Sequence, residues 1–179
     1  MEKRVFQNPL IKDKITFLKT SKETNGEYTL VEVELAVGGG NNLHAHTTFD
    51  EEFIPVEGTL GIDLGKTPLR LTPGEKAIAP VGKWHRFYNP GTEPIRFHVK
   101  ITPSNEGFEN CLKIAYGLAD DGKVNKSGVP TNFAHLSILL TMSDTRLPGI
   151  YSLIHPVMHW KAKQARKKGI EQQLVQQYC

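Results

Sequence analysis

Three histidines and one glutamate in the first half of the sequence have the residue types and spacing of metal ligands. His44 and His46 are two residues apart, so in a strand both side chains lie on one face, about 6 to 7 Å apart along it. The odd spacing from His46 to Glu51 requires a bend between them if Glu51 is to face the same way. His85 lies on a later strand and joins the group only where the sheet curls back on itself.

Imidazole nitrogens with one carboxylate form an ordinary ligand set for Fe, Mn, Co, Ni, Cu or Zn. The set therefore predicts one divalent transition metal, and its composition leaves the identity of the metal open. A single carboxylate leaves a divalent ion with net positive charge, and such an ion can polarise a bound substrate or water.

The elements that must position these residues have the pattern of short β-strands. In TLVEVELAV, apolar and polar residues alternate between Val31 and Val37, which is the period of a half-buried strand. TLGIDLG and PLRLTPG are typical of a hairpin, with turn residues at its centre and at both ends. In PIRFHVKITP the apolar residues again share one face. Many short strands with regular turns predict an all-β sandwich or barrel over residues 1–104.

The pattern changes near Pro103, where helical spacing replaces alternation. GFENCLKIAYGLADDG has helical periodicity, and Pro130 is placed to start a second helix. From Gly149 onward the chain again favours helix, with an interruption at Pro156. We predict that residues 105–179 form an α-helical extension that packs on the barrel or forms a homodimer interface. The reason is that its apolar content is too large for a solvated tail.

The candidate ligands stand inside two longer motifs. The first has the form G-x5-HAH-x4-E-x6-G and consists of Gly38, His44, His46, Glu51 and Gly58. The second has the form G-x5-PVG-x2-H-x3-N and consists of Gly74, Pro80, Gly82, His85 and Asn89. All ten positions match the two motifs of the cupin superfamily. Over about residues 27–103 the sequence resembles small single-domain bacterial cupins of the quercetinase-like type.

The resemblance implies a double-stranded β-helix, or jelly-roll barrel, with the metal near its axis. Carried over position by position, the metal ligands are His44, His46, Glu51 and His85. Glu52, the neighbour of the ligand, should point away from the metal. Pro55 departs from the family pattern and removes a backbone donor from its strand, so we expect a bulge or an edge position there.

The function that the resemblance favours is a metal-dependent oxidoreductase, similar to a dioxygenase, acting on a small organic molecule. In such an enzyme Glu51 would be the catalytic residue, serving as metal ligand and transiently as general base. Two alternatives stay open. The first is a cupin that binds a small molecule without turnover, and the second is a metal-dependent isomerase.

Composition limits the other function classes. The formal net charge of +3 is too small to indicate nucleic-acid binding, and the basic segment 160–169 is interpreted as the solvated face of a helix. The charged start and the lack of a long apolar run predict a cytoplasmic protein with no membrane partner. Cys111 and Cys179 are too few to form a disulfide framework.

The remaining histidines are interpreted as structural or surface residues. His98 falls on the polar face of its strand and is expected to be solvent-exposed. His135, His155 and His159 lie in the extension. His155 and His159 have the spacing of a helical ligand pair, but Pro156 is expected to break that geometry.

Overall fold

The computed structural model describes residues 3–179, in which strands come first and helices follow. The strands are β1 Val5–Asn8, β2 Asp13–Lys19, β3 Thr29–Leu35, β4 Ala45–His46, β5 Asp50–Glu57, β6 Leu60–Leu64, β7 Thr67–Leu71, β8 Ala77–Ala79, β9 His85–Tyr88, β10 Ile95–Thr102 and β11 Thr145–Arg146. The helices are α1 Glu106–Asp120, α2 Phe133–Met142, α3 Ile150–Leu153, α4 His155–Lys167 and α5 Ile170–Tyr178. A short 3-10 helix covers Lys22–Thr24.

The strands form antiparallel sheets, as the alternating pattern predicts. One sheet has six strands in the order β1-β2-β3-β10-β5-β8, and a second has the order β7-β6-β9. Isolated bridges from Gly40 to Tyr88 and from His44 to His85 attach the segment before β4 to β9. The expected antiparallel strands followed by helices are confirmed, whereas closure into a barrel stays a prediction.

The hydrophobic core lies between the two sheets. Alternate residues of each strand point inward, so β2, β3, β5 and β10 contribute one side and β6 contributes the other. The fully buried side chains here include Phe17, Leu35, Phe53, Leu60, Ile62, Phe97 and Ile101. This packing fixes which face of β5 points inward, and therefore where Glu51 and Glu52 point.

Pro55 produces the bulge that its missing N–H predicts. The pairing of β10 with β5 shifts by one residue between Arg96, opposite Glu57, and Phe97, opposite Pro55. The bulge lies toward the end of β5, whereas Glu51 pairs regularly with Ile101 at the other end. Glu52 points to the opposite face, where it pairs with Lys76 at 2.8 Å.

The helices differ from the sequence-based expectations in two places. Pro130 does not start α2, because Asn132 caps that helix and accepts hydrogen bonds from the N–H groups of Ala134 and His135. Pro156 does not separate His155 from His159. It stands in the first turn of α4, where a missing N–H costs nothing, and the two rings lie 4.4 Å apart.

The extension is not helical throughout. The short strand β11, after α2, pairs antiparallel with β4, with Thr145 opposite His46 and Arg146 opposite Ala45. Helix α1 packs Phe108, Leu112 and Ala115 against the core of the sheets. A segment about a hundred residues beyond β4 in sequence is thus placed beside the candidate ligands.

His98 also differs from its expected environment. It is half-buried, and its Nε2 lies 3.3 Å from Glu32 on the neighbouring strand β3. The alternation correctly places His98 on the polar face of β10, but that face is covered in part by side chains of neighbouring strands.

Candidate metal centre

The four candidate ligands come from three short strands and the loop before them. His46 is on β4, Glu51 on β5 and His85 at the start of β9. His44 precedes β4, and its backbone N–H and C=O both bond to His85, at 3.0 and 2.8 Å. The bend between His46 and Glu51 that the odd spacing requires is formed by residues 47–49.

A tight turn places His85. The N–H of Gly82 donates to the carbonyl of His46 at 2.7 Å, and Gly82 has φ 77°. This left-handed conformation is open to glycine at little cost and is unfavourable for residues with a Cβ. The turn therefore holds the strand of His85 directly against the strand of His46.

The side chains converge on one point. One ligand atom from each of the four residues lies within 4.8 Å of every other. The two oxygens of Glu51 lie 4.0 Å from Nε2 of His44, 3.7 Å from Nε2 of His46 and 2.7 Å from Nε2 of His85. All four side chains are largely buried, His44 being the most exposed at 12%.

Each imidazole is oriented through its other ring nitrogen. Nδ1 of His44 bonds to the carbonyl of Asn42, and Nδ1 of His85 bonds to the carbonyl of Lys83, both at 2.8 Å. Nδ1 of His46 lies 3.2 Å from the hydroxyl of Thr145 on β11. A carbonyl can only accept, so Nδ1 of His44 and Nδ1 of His85 each carry a proton. In all three rings Nε2 is the nitrogen that faces Glu51 and the centre of the site.

Burial sets the protonation of two of the histidines. It lowers the pKa of His44 to about 4, with His85 nearby adding to the effect. It also lowers the pKa of His46 to about 3, against the opposing charge of Glu51. Both imidazoles are therefore neutral near pH 7, which is the form that binds metals.

Glu51 and His85 behave as a coupled acid and base. Burial alone would raise the pKa of Glu51, but the charges of His46 and His85 and the hydrogen bond from His85 lower it to about 2. Burial alone would lower the pKa of His85, and the hydrogen bond to Glu51 raises it instead. Glu51 is thus a carboxylate, and a metal would displace the proton that His85 shares with it.

One buried atom supports a metal directly. Nε2 of His46 is buried and has no hydrogen-bond partner among the described residues. An unsatisfied buried nitrogen costs free energy, and a divalent ion among the four side chains would satisfy it. The donor set of three imidazoles and a carboxylate fits a divalent transition metal, whose identity the donors do not select.

Comparison with known proteins identifies the domain that carries this site. The family model described as "Cupin domain" matches residues 31–101, a segment that contains all four candidate ligands. Residues 31–101 therefore form a cupin domain. No curated protein matches it in sequence.

Solved structures agree with the fold of this cupin. KdgF from Halomonas sp. superposes with a TM-score of 0.50 and 18% identity, over 56% of this chain and 87% of that one. A predicted oxalate decarboxylase from Thermotoga maritima gives 0.49 and 16%, over 51% and 80%. The polyketide cyclase RemF from Streptomyces resistomycificus gives 0.47 and 23%, over 52% and 66%. The likeness to KdgF, at this low identity, shows the fold alone and leaves the reaction open.

Aromatic side chains hold the ligand rings of the cupin in place. Phe49 stacks on His46 with ring centroids 4.3 Å apart, and Phe108 of α1 meets the same ring edge-on at 5.4 Å. Phe53 lies 5.9 Å from the ring of His85. These contacts restrict ring rotation, so the ligand nitrogens are positioned before any metal binds.

A cavity of about 240 Å³ opens from the metal centre into the molecule. His44, His46 and Glu51 form part of its wall, and the strands and the extension supply the rest. Its apolar wall includes Ile15, Val31, Val33, Phe87, Val99, Ile101, Leu112, Ala115, Leu136 and Leu139. Asp13 and Tyr116 also line it.

The sequence analysis did not find the residues that come from outside the motifs. Thr145 and Phe108 touch His46 only because the extension folds back, and no local spacing indicates that. Asp13 did leave a signal, because it shares the inward face of β2 with Ile15 and Phe17. An acidic residue on an apolar face is unusual enough to mark a candidate site.

No helix in residues 3–179 is both long and apolar enough to cross a membrane.

Proposed function

We propose that this cupin is a metal-dependent oxidoreductase that uses dioxygen to oxidise a small, largely apolar organic molecule. The observation that carries the proposal is the position of the four-ligand cluster beside a largely apolar cavity, whose wall includes His44, His46 and Glu51. A purely structural metal site, which only links strands, would need no such cavity beside it.

His44, His46, Glu51 and His85 would hold the metal. When bound, a redox-active ion supplies a site at which substrate and dioxygen react; four protein ligands leave room for further ligands on the ions considered. His44 and His46 are neutral and all three rings are already oriented, so binding the ion requires mainly the loss of the proton that His85 shares with Glu51.

Glu51 is the candidate proton acceptor. It is ionised at neutral pH, and its oxygens face the same point as the three imidazoles. The low pKa makes Glu51 a weak base, so it would accept a proton only transiently and only from an acidic substrate hydroxyl.

The cavity determines which substrates fit. Its aliphatic and aromatic walls favour an apolar molecule over a strongly polar one. The same apolar cavity also favours the second candidate, a cupin that binds such a molecule without turnover. A measurement of substrate turnover distinguishes the oxidoreductase from the binding protein.

The first test is the metal content of the untagged protein, measured by elemental mass spectrometry. We expect close to one equivalent of Fe, Mn, Co, Ni or Cu. The double variant His44→Ala/His85→Ala should lose it, whereas a variant of the exposed His159, His159→Ala, should keep it.

The second test is oxygen consumption with phenolic and diketone substrates, before and after chelation and reloading. Activity that returns with a redox-active metal supports the oxidoreductase. Zinc as the native metal, or activity restored by zinc alone, contradicts redox chemistry. Ligand-dependent thermal stabilisation with no product by mass spectrometry supports the binding protein instead.

A further inference from the structure

A carboxylate stands in the apolar cavity well away from the metal centre. Asp13 begins β2, where it shares the inward face with Ile15 and Phe17. It is 7% exposed and lines the cavity. Its Oδ1 is buried and has no hydrogen-bond partner among the described residues.

The other oxygen of Asp13 is held by the extension. The hydroxyl of Tyr116 on α1 donates to Oδ2 at 2.5 Å, and Tyr116 is itself 4% exposed. This bond fixes the carboxylate in one orientation and leaves Oδ1 for another donor. Residues 103 positions apart in sequence thus build one polar end of the cavity.

We propose that Asp13, oriented by Tyr116, binds a hydrogen-bond donor at the far end of the ligand. The cupin would then take an elongated molecule with a metal-binding head, an apolar body and a terminal hydroxyl or ammonium group. This inference rests on the proposed function, because the metal anchors the head of the ligand.

The strand register gives the scale of that ligand. Asp13 lies opposite Leu35, which lies opposite Ile95, whereas Glu51 lies opposite Ile101. Six residues along β10 correspond to roughly 20 Å, and β2 and β5 are three strand spacings of about 4.8 Å apart in the sheet. The two backbone positions are therefore at most roughly 25 Å apart, and sheet curvature and the inward-pointing side chains shorten the span that a ligand must cover. The walls between the two ends are the aliphatic side chains of β2, β3, β10 and α1.

A purely structural role explains Asp13 less well. Burying a carboxylate is costly, and a hydrogen bond that merely ties α1 to the sheet could be made by an uncharged acceptor. Burial raises the pKa of Asp13 to about 6, against the hydrogen bond from Tyr116, so at neutral pH the group is mostly ionised. An ionised oxygen without a donor is a strong acceptor for a ligand.

The test uses alkyl hydroxamates, whose head group binds transition metals, with the metal-loaded full-length protein and isothermal titration calorimetry. The chains increase in length and end in methyl, hydroxyl, ammonium or carboxylate. At one chain length the hydroxyl or ammonium end should improve affinity about tenfold or more over methyl, since hydrogen bonds to charged groups contribute about 1.5–3 kcal/mol. The carboxylate end should bind worst.

Asp13→Asn should reverse this order. The amide keeps an acceptor for Tyr116 and presents a donor to the cavity, so the carboxylate end should gain and the ammonium end should lose its advantage. Glu109→Gln is the matched control. It changes a second buried acid, which is on α1, accepts hydrogen bonds from Ser21 and Thr29, and does not line the cavity.

The outcomes separate the two proposals. If the methyl hydroxamates bind but the terminal group has no effect at any length, this inference is wrong and the metal site stands. If no hydroxamate binds the metal-loaded protein, both proposals fail. The comparison of terminal groups in the unaltered protein decides the matter even where Asp13→Asn does not fold.

Discussion

At the scale of single residues, the buried carboxylate of Asp13 should lower the stability of the fold while it provides the proposed contact to a ligand. Its carboxyl is protonated more readily in the folded cavity than in water, because burial disfavours the charge. Keeping this acid in the core therefore reduces stability at neutral pH, and a neutral residue of similar shape should remove that cost.

The pH dependence of stability should reveal this cost. The pKa of Asp13 rises from 3.8 to about 6 on folding, so between these values the folded state binds more protons than the unfolded state. Its contribution to stability therefore falls as pH rises from 4 to 6, by about 3 kcal/mol at most, and is constant above.

Urea denaturation of the wild type and Asp13→Asn at pH 4.5 and pH 7 measures the effect. The free energy of unfolding of the variant, relative to wild type, should be higher at pH 7 than at pH 4.5. The shared changes of all other groups cancel in this difference. Equal differences at the two pH values would contradict the burial of a titrating Asp13.

The four candidate ligands and Asp13 differ in how far sequence could predict them. His44, His46, Glu51 and His85 stand at fixed spacings within a single β-domain, so motif and strand period place them together. The role of Asp13 depends on Tyr116, 103 positions away on a helix whose docking no local pattern encodes. Sequence marks Asp13 only as an acid on an apolar face.

At the scale of elements, the short strand β11 links the extension to the metal centre. Thr145 lies opposite His46 in the β11–β4 pair, and its hydroxyl donates to the carbonyl of Ser143 while contacting Nδ1 of His46. The hydroxyl is then an acceptor for the Nδ1 proton, which keeps Nε2 free for a metal.

Thr145→Val should weaken metal binding without removing a ligand. The valine has nearly the same shape but cannot accept the Nδ1 proton, and loss of such a supporting contact typically lowers metal affinity about 10–100-fold. Competition with a chromophoric chelator measures the affinity. Thr67→Val, in an exposed position on β7, is the matched control, and an affinity equal to wild type in Thr145→Val would show that β11 does not orient His46.

The longer strands could be predicted from the sequence, whereas the two-residue strand β11 could not. Alternation of side chains is a local property, so it identified strands, and the missing N–H of Pro55 correctly indicated a bulge or an edge position in β5. Strand β11 is two residues long and carries no such period. It exists because it pairs with β4, and that pairing is a tertiary event.

At the scale of the whole molecule, the extension completes the β-domain. Residues of α1 and α2 form one side of the cavity, and Glu109 ties α1 to the strands by accepting hydrogen bonds from the N–H of Ser21 and the hydroxyl of Thr29. The predicted homodimer stays a prediction. Exposed apolar residues of α3 and α4, among them Ile150, Leu153, Val157 and Trp160, are where a second copy would bind.

Removal of the extension should therefore damage the β-domain itself. A chain of residues 1–103 would expose the cavity side of its core to water, because Phe108, Leu112 and Tyr116 no longer cover it. We expect an insoluble protein, or one that binds a hydrophobic dye and lacks a cooperative thermal transition. In the full-length chain, Leu112→Ala should open the same interface mildly and cost about 2 kcal/mol of stability, measured by urea denaturation. A soluble, cooperatively melting fragment together with a neutral Leu112→Ala would mean that the extension is an independent appendage, and that the cavity end formed by Asp13 and Tyr116 does not depend on tight docking of α1.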